Sequence, residues 1–553
     1  MPEALALHER RAAALRIALA RQGEPEPLRL DTHVSTVLVA PPHAYKLKRP
    51  VTLPFVDLSD ATLRRTLCVT EVSLNRRLAP ALYLGVVPVL GTPDRPAFGP
   101  IWAVDDGTPE PAWPPGTELA VAMRAFDQAG LWSHRVPAGQ VSGDEARALG
   151  ETIGAFHRDR ATRRPFSPHG TAAACRARSI ANFDALDASP LGLPRDLIAR
   201  LRRDAEARFI RLAALRDARN RDGFVREGHG DLHLGNVVTL DGRAVPFDCL
   251  EFDEGLRTSD VADEIAFAVM DLRHVGRPDL AAALLDGWLQ ETGDFDALAL
   301  LDDGAAYRAM VRAKVAAFDA ARDPDGGGAA RCIAYLHTAA DVPVRDAPVL
   351  IAMHGLSGSG KSAVSAVLAG VIGAVRLRSD VERKRMHALA PASRAGAHGA
   401  LYSPAARDAV YERLAEHARN LLAIGWPVIV DAAFLDAAQR LRFAALAADA
   451  GVDFVVLDVA APEPVLRVRI AARAAADVDA SDADLSVLDG QLAAYRPIGD
   501  DERTRTLRWD ATAAPTHEAI AAAWRAHRET ALRGAPGVDR TTGTTGADGE
   551  AGR

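Results

Sequence analysis

The sequence predicts two folded parts of different class: an α+β part, strand-rich and then helical, followed by an α/β part with a parallel sheet. Three observations carry this. Residues 355–362 read GLSGSGKS, between an apolar run at 349–353 and a helix-forming stretch at 363–368; strand, glycine loop and helix is the order a P-loop requires. After that loop, apolar strands alternate with helical stretches, a pattern that implies parallel strands joined by right-handed crossovers. Before it, short alternating strands give way to long helices, with a polar loop and a hairpin at 228–248.

The chain has 553 residues, room for about three or four domain-sized units. It is 48% hydrophobic and 25% charged, a globular balance. A net charge of −7 argues against a broad nucleic-acid-binding face, though not against a local one. The four cysteines, Cys68, Cys175, Cys249 and Cys332, are scattered with no C-x-x-C pair, which speaks against a zinc site or disulfide framework and fits a reducing cytosol. No apolar run reaches the ~18 residues of a membrane span, and the N-terminus, with His8, Glu9, Arg10 and Arg11, lacks a signal-peptide core. A cytoplasmic protein with no membrane partner is expected. The expected divisions are an N-terminal helix at 1–24, a domain at 25–340 (small lobe 25–127, large lobe 128–340), a polar linker at 341–348, a P-loop domain at 349–532 and a tail of disordered composition at 533–553.

In the first part, 30–39 reads as one strand and 44–50 as a second, after a Pro41-Pro42 turn. Period-two alternation puts Ala44, Lys46 and Lys48 on one face, Tyr45 and Leu47 on the other. A helix carrying Glu71 is expected over 61–78, strands over 82–90 and 118–124, and helices over 143–221 and 259–340. Residues 228–236 read GHGDLHLGN, and the hairpin after them turns at Asp241-Gly242 and closes on Asp248. Asp231 and Asn236 have the D-x-x-x-x-N spacing of a kinase catalytic loop. There the aspartate accepts the substrate hydroxyl proton, the asparagine holds a metal ion, and a later aspartate holds metal between the phosphates. Asp248 stands at that later place, with Cys249-Leu250 where Phe-Gly is usual.

The run HGDLHLGN resembles the corresponding loop of the aminoglycoside and choline phosphotransferases. The resemblance implies a bilobal protein-kinase-like fold over roughly 25–340. It implies Asp231 as catalytic base, Asn236 and Asp248 as Mg²⁺ ligands, Lys46 as the phosphate-binding lysine, Glu71 as its helix partner, and 123–126 as the segment that holds adenine. Lys48 rivals Lys46, but Ala44-x-Lys46 matches the A-x-K order of that strand. No G-x-G-x-x-G lies over the first strands, as is usual for the aminoglycoside type.

In the second part, strands are expected at 374–378, 428–431, 452–459 and 505–509, and helices at 404–424, 436–450, 462–495 and 516–528. The glycine loop lets backbone N–H groups at Gly355, Ser357, Gly358, Ser359 and Gly360 curl around phosphate, with Lys361 reaching the β- and γ-phosphates and Ser362 holding Mg²⁺. Chemistry in such a sheet collects at the carboxyl ends of strands. Asp431 ends one and reads as a Walker-B-like acid that positions Mg²⁺; Asp380 follows another and reads either as the base for an acceptor hydroxyl or as a helix N-cap. Arg383, one turn later, is placed to grip an anionic substrate. Arg469 and Arg473, i and i+4 on one helix, are placed to close over the phosphates or form a solvated face. Residues 481–484 read as a capping box. The motifs GLSGSGKS, RSDVER and VIVDAAF resemble the P-loop small-molecule and polynucleotide kinases, including the gluconate kinase and zeta-toxin groups, over about 347–530. The order of the two parts resembles bacterial fusion proteins of this composition.

Two ATP·Mg²⁺ modules are therefore expected, the P-loop half passing the γ-phosphoryl group to a hydroxyl of a small molecule or a nucleic-acid end. One alternative is a nucleotide-sensing protein in which one half regulates the other. Another is an aminoglycoside phosphotransferase, with Glu251, Asp253, Glu254, Asp260, Asp263 and Glu264 supplying an acidic acceptor pocket.

Overall fold

The computed structural model describes residues 2–21, 26–53, 56–104, 111–114, 116–159, 166–323, 325–341, 348–389, 403–476 and 484–534. The expected linker, apart from its two ends, and the tail beyond 534 lie outside these residues. The chain divides into two compact units, one essentially of residues up to 346 and the other of residues from 347 on.

The first unit opens with α1 (Pro2–Ala20) and a six-stranded sheet: β1 (Leu28–Asp31), β2 (Ser35–Ala40), β3 (His43–Lys48), β4 (Tyr83–Thr92), β5 (Arg95–Phe98) and β6 (Glu118–Arg124). Its order is β1-β2-β3-β6-β4-β5, antiparallel throughout. The stretch 30–39, expected as one strand, is a hairpin instead. Thr32 turns the chain: its N–H donates to the Ser35 carbonyl at 2.8 Å, and its hydroxyl accepts from the Ser35 N–H at 3.0 Å. Alternation along β3 sends Leu47 to one face, where Leu15 and Leu19 of α1 cover it, and Ala44 to the other. That second face is covered by α2 (Ala61–Asn75) through Cys68 and Val72. The same face carries Lys46 and Lys48 under Glu71 of α2.

The helical lobe contains α3 (Gly143–Arg158), α4 (Ala172–Asp187), α5 (Arg195–Arg221), α6 (Val261–His274), α7 (Pro278–Thr292), α8 (Leu298–Arg322) and α9 (Gly328–Ala340). Between α5 and α6 lie the polar loop and the hairpin of β7 (Val237–Leu240) and β8 (Arg243–Pro246). Helices α3 and α7 approach closely: a Cβ on Gly150 would lie 2.0 Å from the Leu284 carbonyl oxygen, and one on Gly287 would lie 2.2 Å from that of Arg147. Helix α6 is buried along almost its whole length and supplies the acids that hold the polar loop.

The second unit is a five-stranded parallel sheet: β9 (Val349–His354), β10 (Val375–Arg378), β11 (Val428–Asp431), β12 (Asp453–Ala460) and β13 (Thr506–Asp510), in the order β10-β11-β9-β12-β13. Its helices are α10 (Lys361–Ile372), α11 (Ser379–Met386), α12 (Pro404–Ala423), α13 (Ala437–Asp449), α14 (Glu463–Ala476), α15 (Leu485–Ala494) and α16 (His517–Gly534). All of β9 is buried, as expected for the central strand of a parallel sheet covered on both faces. The helix expected over 462–495 is two helices, with 477–483 outside the described residues. Of the expected capping box, 481–483 are also outside; Asp484 caps α15, accepting from the Val487 N–H at 3.0 Å. Strand order reverses at β9, with β11 on one side and β12 on the other, so the crevice beyond its carboxyl end is where a ligand fits.

Candidate functional sites

In the second unit, the chain leaves β9 at His354 and turns through the glycine loop into α10. Gly355, Gly358 and Gly360 have φ of 145°, 79° and 97°, values that side-chain-bearing residues adopt only with strain. A Cβ on Gly355 would also stand 2.4 Å from the Val459 carbonyl oxygen. Lys361 folds back over the loop, donating to the Gly355 and Leu356 carbonyls at 2.8 and 2.9 Å. Burial lowers its pKa to about 8, against the opposing pull of Asp431 and Asp380.

A cavity of about 390 Å³ gathers Ser357, Gly358, Gly360, Lys361 and Ser362 with Asp380, Arg383, Asp431, Arg469 and Arg473. Gly355 and Ser359 do not line it. Asp431 is buried, accepts from the Ser365 hydroxyl at 3.1 Å, and lies 3.8 Å from both Arg376 Nη1 and Arg378 Nε. Asp380 sits in the first turn of α11, where its Oδ1 accepts from Arg383 Nη1 at 2.5 Å. Arg469 donates to the Ser359 carbonyl at 3.3 Å and to that of Ala511 at 2.6 Å, tying α14 to the loop. Ser362 and Asp431 offer hard oxygen donors of the kind Mg²⁺ takes.

The sequence reading missed several neighbours. Arg376 and Arg378 alternate with Val375 and Leu377 on β10, a period-two signal that was available. Arg407 and Tyr411 are i and i+4 on α12, and both line the cavity. Gln491 of α15 accepts from the Ser357 N–H at 2.8 Å, which no local pattern announces.

In the first unit, Lys46 donates to Glu71 Oε1 at 2.8 Å and also pairs with Asp248. Lys48, the rival, pairs with the other Glu71 oxygen and with Glu251. Both lysines are thus held by one carboxylate, but Lys46 is the one that reaches Asp248. Burial pushes Glu71 toward the neutral form; Lys46 and Lys48 outweigh it and hold the carboxyl well below its usual range. Asp248 has φ +63° and donates its N–H to the Tyr83 hydroxyl at 3.1 Å, a constrained backbone of the kind found at binding sites.

Asn236 Nδ2 donates to the Asp231 carbonyl at 2.9 Å and to its Oδ2 at 3.1 Å, leaving the amide oxygen as the atom for a cation. Burial pushes Asp231 up, but His233, 3.5 Å away, and Arg312 hold it well below the usual carboxylate range. The loop is clamped from below. The His229 N–H donates to both Glu264 oxygens, at 3.0 and 2.9 Å, and the Leu234 N–H to Asp271 at 2.9 Å. Trp288 donates to His157 Nδ1 at 2.9 Å, so His157 Nε2 carries the proton it gives to Glu264 at 3.0 Å. In the 123–126 segment, the Ala125 N–H is taken by the Pro42 carbonyl at 2.9 Å, and Phe126 meets Phe247 edge-on.

The acidic residues after Asp248 do not form one pocket. Glu251 pairs with Lys48, Asp260 with Arg219, Asp263 with Arg216 and Glu264 with His157, while Asp253 caps the short helix after it. Asp260 also caps α6. All four cysteines are buried and free. Among the described residues no helix is long and apolar enough to cross a membrane.

Fold and site together define a protein of two parts, a six-stranded antiparallel sheet joined to a helical lobe and, after it, a P-loop domain on a parallel sheet. The family model described as "AAA domain" matches residues 350–498. "Uncharacterized protein Rv2004c" of Mycobacterium tuberculosis (strain ATCC 25618 / H37Rv) is 30% identical over 456 residues, covering 82% of this chain and 87% of that protein. "Uncharacterized protein Mb2027c" of Mycobacterium bovis matches to the same extent. The chain belongs to the family of these mycobacterial proteins. Among solved structures, a choline/ethanolamine kinase family protein from Mesorhizobium loti aligns with a TM-score of 0.39 at 14% identity, over 61% of this chain and 95% of that one. A gluconokinase from Sinorhizobium meliloti 1021 aligns with a TM-score of 0.25 at 21% identity, over 34% of this chain and 95% of that one.

Proposed function

We propose that the protein is an ATP-dependent phosphotransferase with two nucleotide-binding modules, and that the P-loop half moves the γ-phosphoryl group to a hydroxyl. The observation that carries this is one cavity in which Lys361, Ser362 and Asp431 stand together with Asp380. In this reading the loop amides and Lys361 hold the β- and γ-phosphates, and Ser362 and Asp431 would hold Mg²⁺, which neutralises charge on the phosphates when bound. Asp380, oriented by Arg383, accepts the proton of the acceptor hydroxyl. The hydroxyl oxygen bonds to the γ-phosphorus as the bond to the β,γ-bridging oxygen breaks, and ADP leaves with that electron pair. Arg469 and Arg473 offset the charge that develops on the transferred oxygens.

In the first half, Lys46, oriented by Glu71, would take the phosphates, Asn236 and Asp248 the metal, and Asp231 the acceptor proton. Lys46 would exchange part of its contact with Asp248 for phosphate. Calorimetric titration with Mg·ATP tests the two-module claim. Two sites per chain are expected, one removed by Lys361→Ala and the other by Lys46→Ala. A single site that Lys46→Ala leaves intact would remove the first half from the proposal.

A further inference from the structure

In the polar loop of the first unit, residues 234–236 form a single helical turn, and His233 caps it. Its Nδ1 accepts from the Gly235 N–H at 3.0 Å, which leaves the ring proton on Nε2. The ring is held in place. Leu232 and Leu234 on either side are buried, the Leu234 N–H is tied to Asp271, and the ring tilts against Phe267 of α6 with centroids 5.7 Å apart. Gly235 makes room for it: a Cβ there would lie 2.8 Å from His233 Cε1.

Capping uses only one ring nitrogen. The other, Nε2, faces Asp231 at 3.5 Å from Oδ2, longer than an ordinary hydrogen bond. That oxygen already accepts from Asn236 Nδ2 at 3.1 Å. Among the described residues the Nε2–H has no acceptor at hydrogen-bond length, although only 13% of the side chain is exposed. Asp231 Oδ1 likewise accepts from no described residue, so it is the oxygen left for an acceptor proton. A fixed donor this close to the base stands beside the atoms that exchange in a phosphoryl transfer. Aimed at the attacking oxygen, it would weaken the nucleophile; aimed at the phosphoryl oxygens, it meets the charge spread over them. A residue needed only as a cap could be serine or asparagine, neither of which carries a second donor at that reach.

We propose that His233 is a further catalytic residue of the first half, its Nε2–H donating to a non-bridging oxygen of the γ-phosphoryl group during transfer. The acceptor oxygen bonds to the γ-phosphorus, the bond to the β,γ-bridging oxygen breaks, and ADP leaves with that electron pair. The acceptor proton passes to Asp231 Oδ1, and the histidine keeps its own. This rests on the phosphotransferase reading of the first half, and the test separates the two. The full chain carrying Lys361→Ala, which leaves nucleotide binding to the first half, is titrated with Mg·ADP alone and with aluminium fluoride, which stands in for the transferred group. Fluoride is expected to tighten binding. His233→Asn, whose amide can cap as Nδ1 does but falls short of Nε2, is expected to weaken the fluoride complex about a hundredfold. Its affinity for Mg·ADP alone and its unfolding midpoint should not change. His233→Gln, whose amide nitrogen reaches the place of Nε2, is expected to restore part of the gain. No Mg·ADP binding, or no fluoride gain before His233 is changed, overturns the phosphotransferase reading of this half. A gain that survives His233→Asn, an equal loss with both variants, or a loss matched by weaker Mg·ADP binding leaves His233 as a cap and overturns the proposal alone.

Discussion

Lys361 offers a sharp test of the P-loop site, because its charge in the empty protein is set by burial. Its pKa is lowered to about 8 from 10.5, a differential of about 3 kcal/mol against the charged form. Bound phosphates reverse that balance and keep the ammonium charged, so nucleotide binding takes up a proton wherever the empty site has lost one. At pH 7 most chains already carry the charge. At pH 9 only about one in ten does, given a pKa of about 8. With the bound-state pKa well above 11, affinity for Mg·ATP at this site falls about five- to sixfold from pH 8 to pH 9, and about ninefold more by pH 10. Calorimetry on the Lys46→Ala chain isolates the site, and titrations in buffers of different ionisation enthalpy count the protons directly. Lys361→Met should bind more weakly with a flat profile. A wild-type profile that is flat from pH 7.5 to 9.5, with no proton uptake, refutes the reasoning.

Three further outcomes follow from the geometry. Glu71→Gln leaves Lys46 and Lys48 buried without their shared carboxylate, and should lower the stability of the first unit by about 3–5 kcal/mol, read from denaturant unfolding; a change under about 1 kcal/mol would contradict the network. Gly355→Ala should abolish nucleotide binding at the P-loop by pushing the loop off the Val459 carbonyl, seen as a lost calorimetric site with the other site retained. Burial raises the Glu264 carboxyl, but His157 and the loop amides outweigh it and lower its pKa to about 2 from 4.5. The stability it confers is then complete above pH 4.5 and lost as pH falls toward 2, so Glu264→Gln should make unfolding free energy less steep in pH across that window, by at most about 3 kcal/mol in total.

What the chain discloses in advance follows the range of the forces involved. The P-loop is legible because strand, glycines and helix are contiguous and each residue type is demanded by local backbone geometry. Asp231, Asn236 and Asp248 are legible for a similar reason, since one loop and one hairpin carry all three. The hairpin at 28–40 was misread because the alternation runs on through Thr32-His33-Val34 with no glycine or proline, and the turn depends on a threonine side chain. Lys46 and Lys48 share a strand face by simple alternation, yet their division between Asp248 and Glu251 is settled by a hairpin some two hundred residues away. The acids at 251–264 looked like a pocket because sequence shows charge without partners; Arg216, Arg219 and His157, which answer three of them, lie on α3 and α5. Arg407 and Tyr411 reach the second cavity from a helix whose spacing shows only that they share a face.

The most direct test of the central claim is phosphoryl transfer itself. The full chain is incubated with γ-labelled ATP, Mg²⁺ and a fractionated bacterial metabolite extract, and the labelled product is isolated and identified, for wild type, Lys361→Ala, Asp380→Asn and Asp231→Asn. The account predicts a labelled phosphate ester that disappears with Lys361→Ala and Asp380→Asn and persists with Asp231→Asn. Label released only as inorganic phosphate, or the absence of any ester that is lost with both Lys361→Ala and Asp380→Asn yet kept with Asp231→Asn, would contradict it.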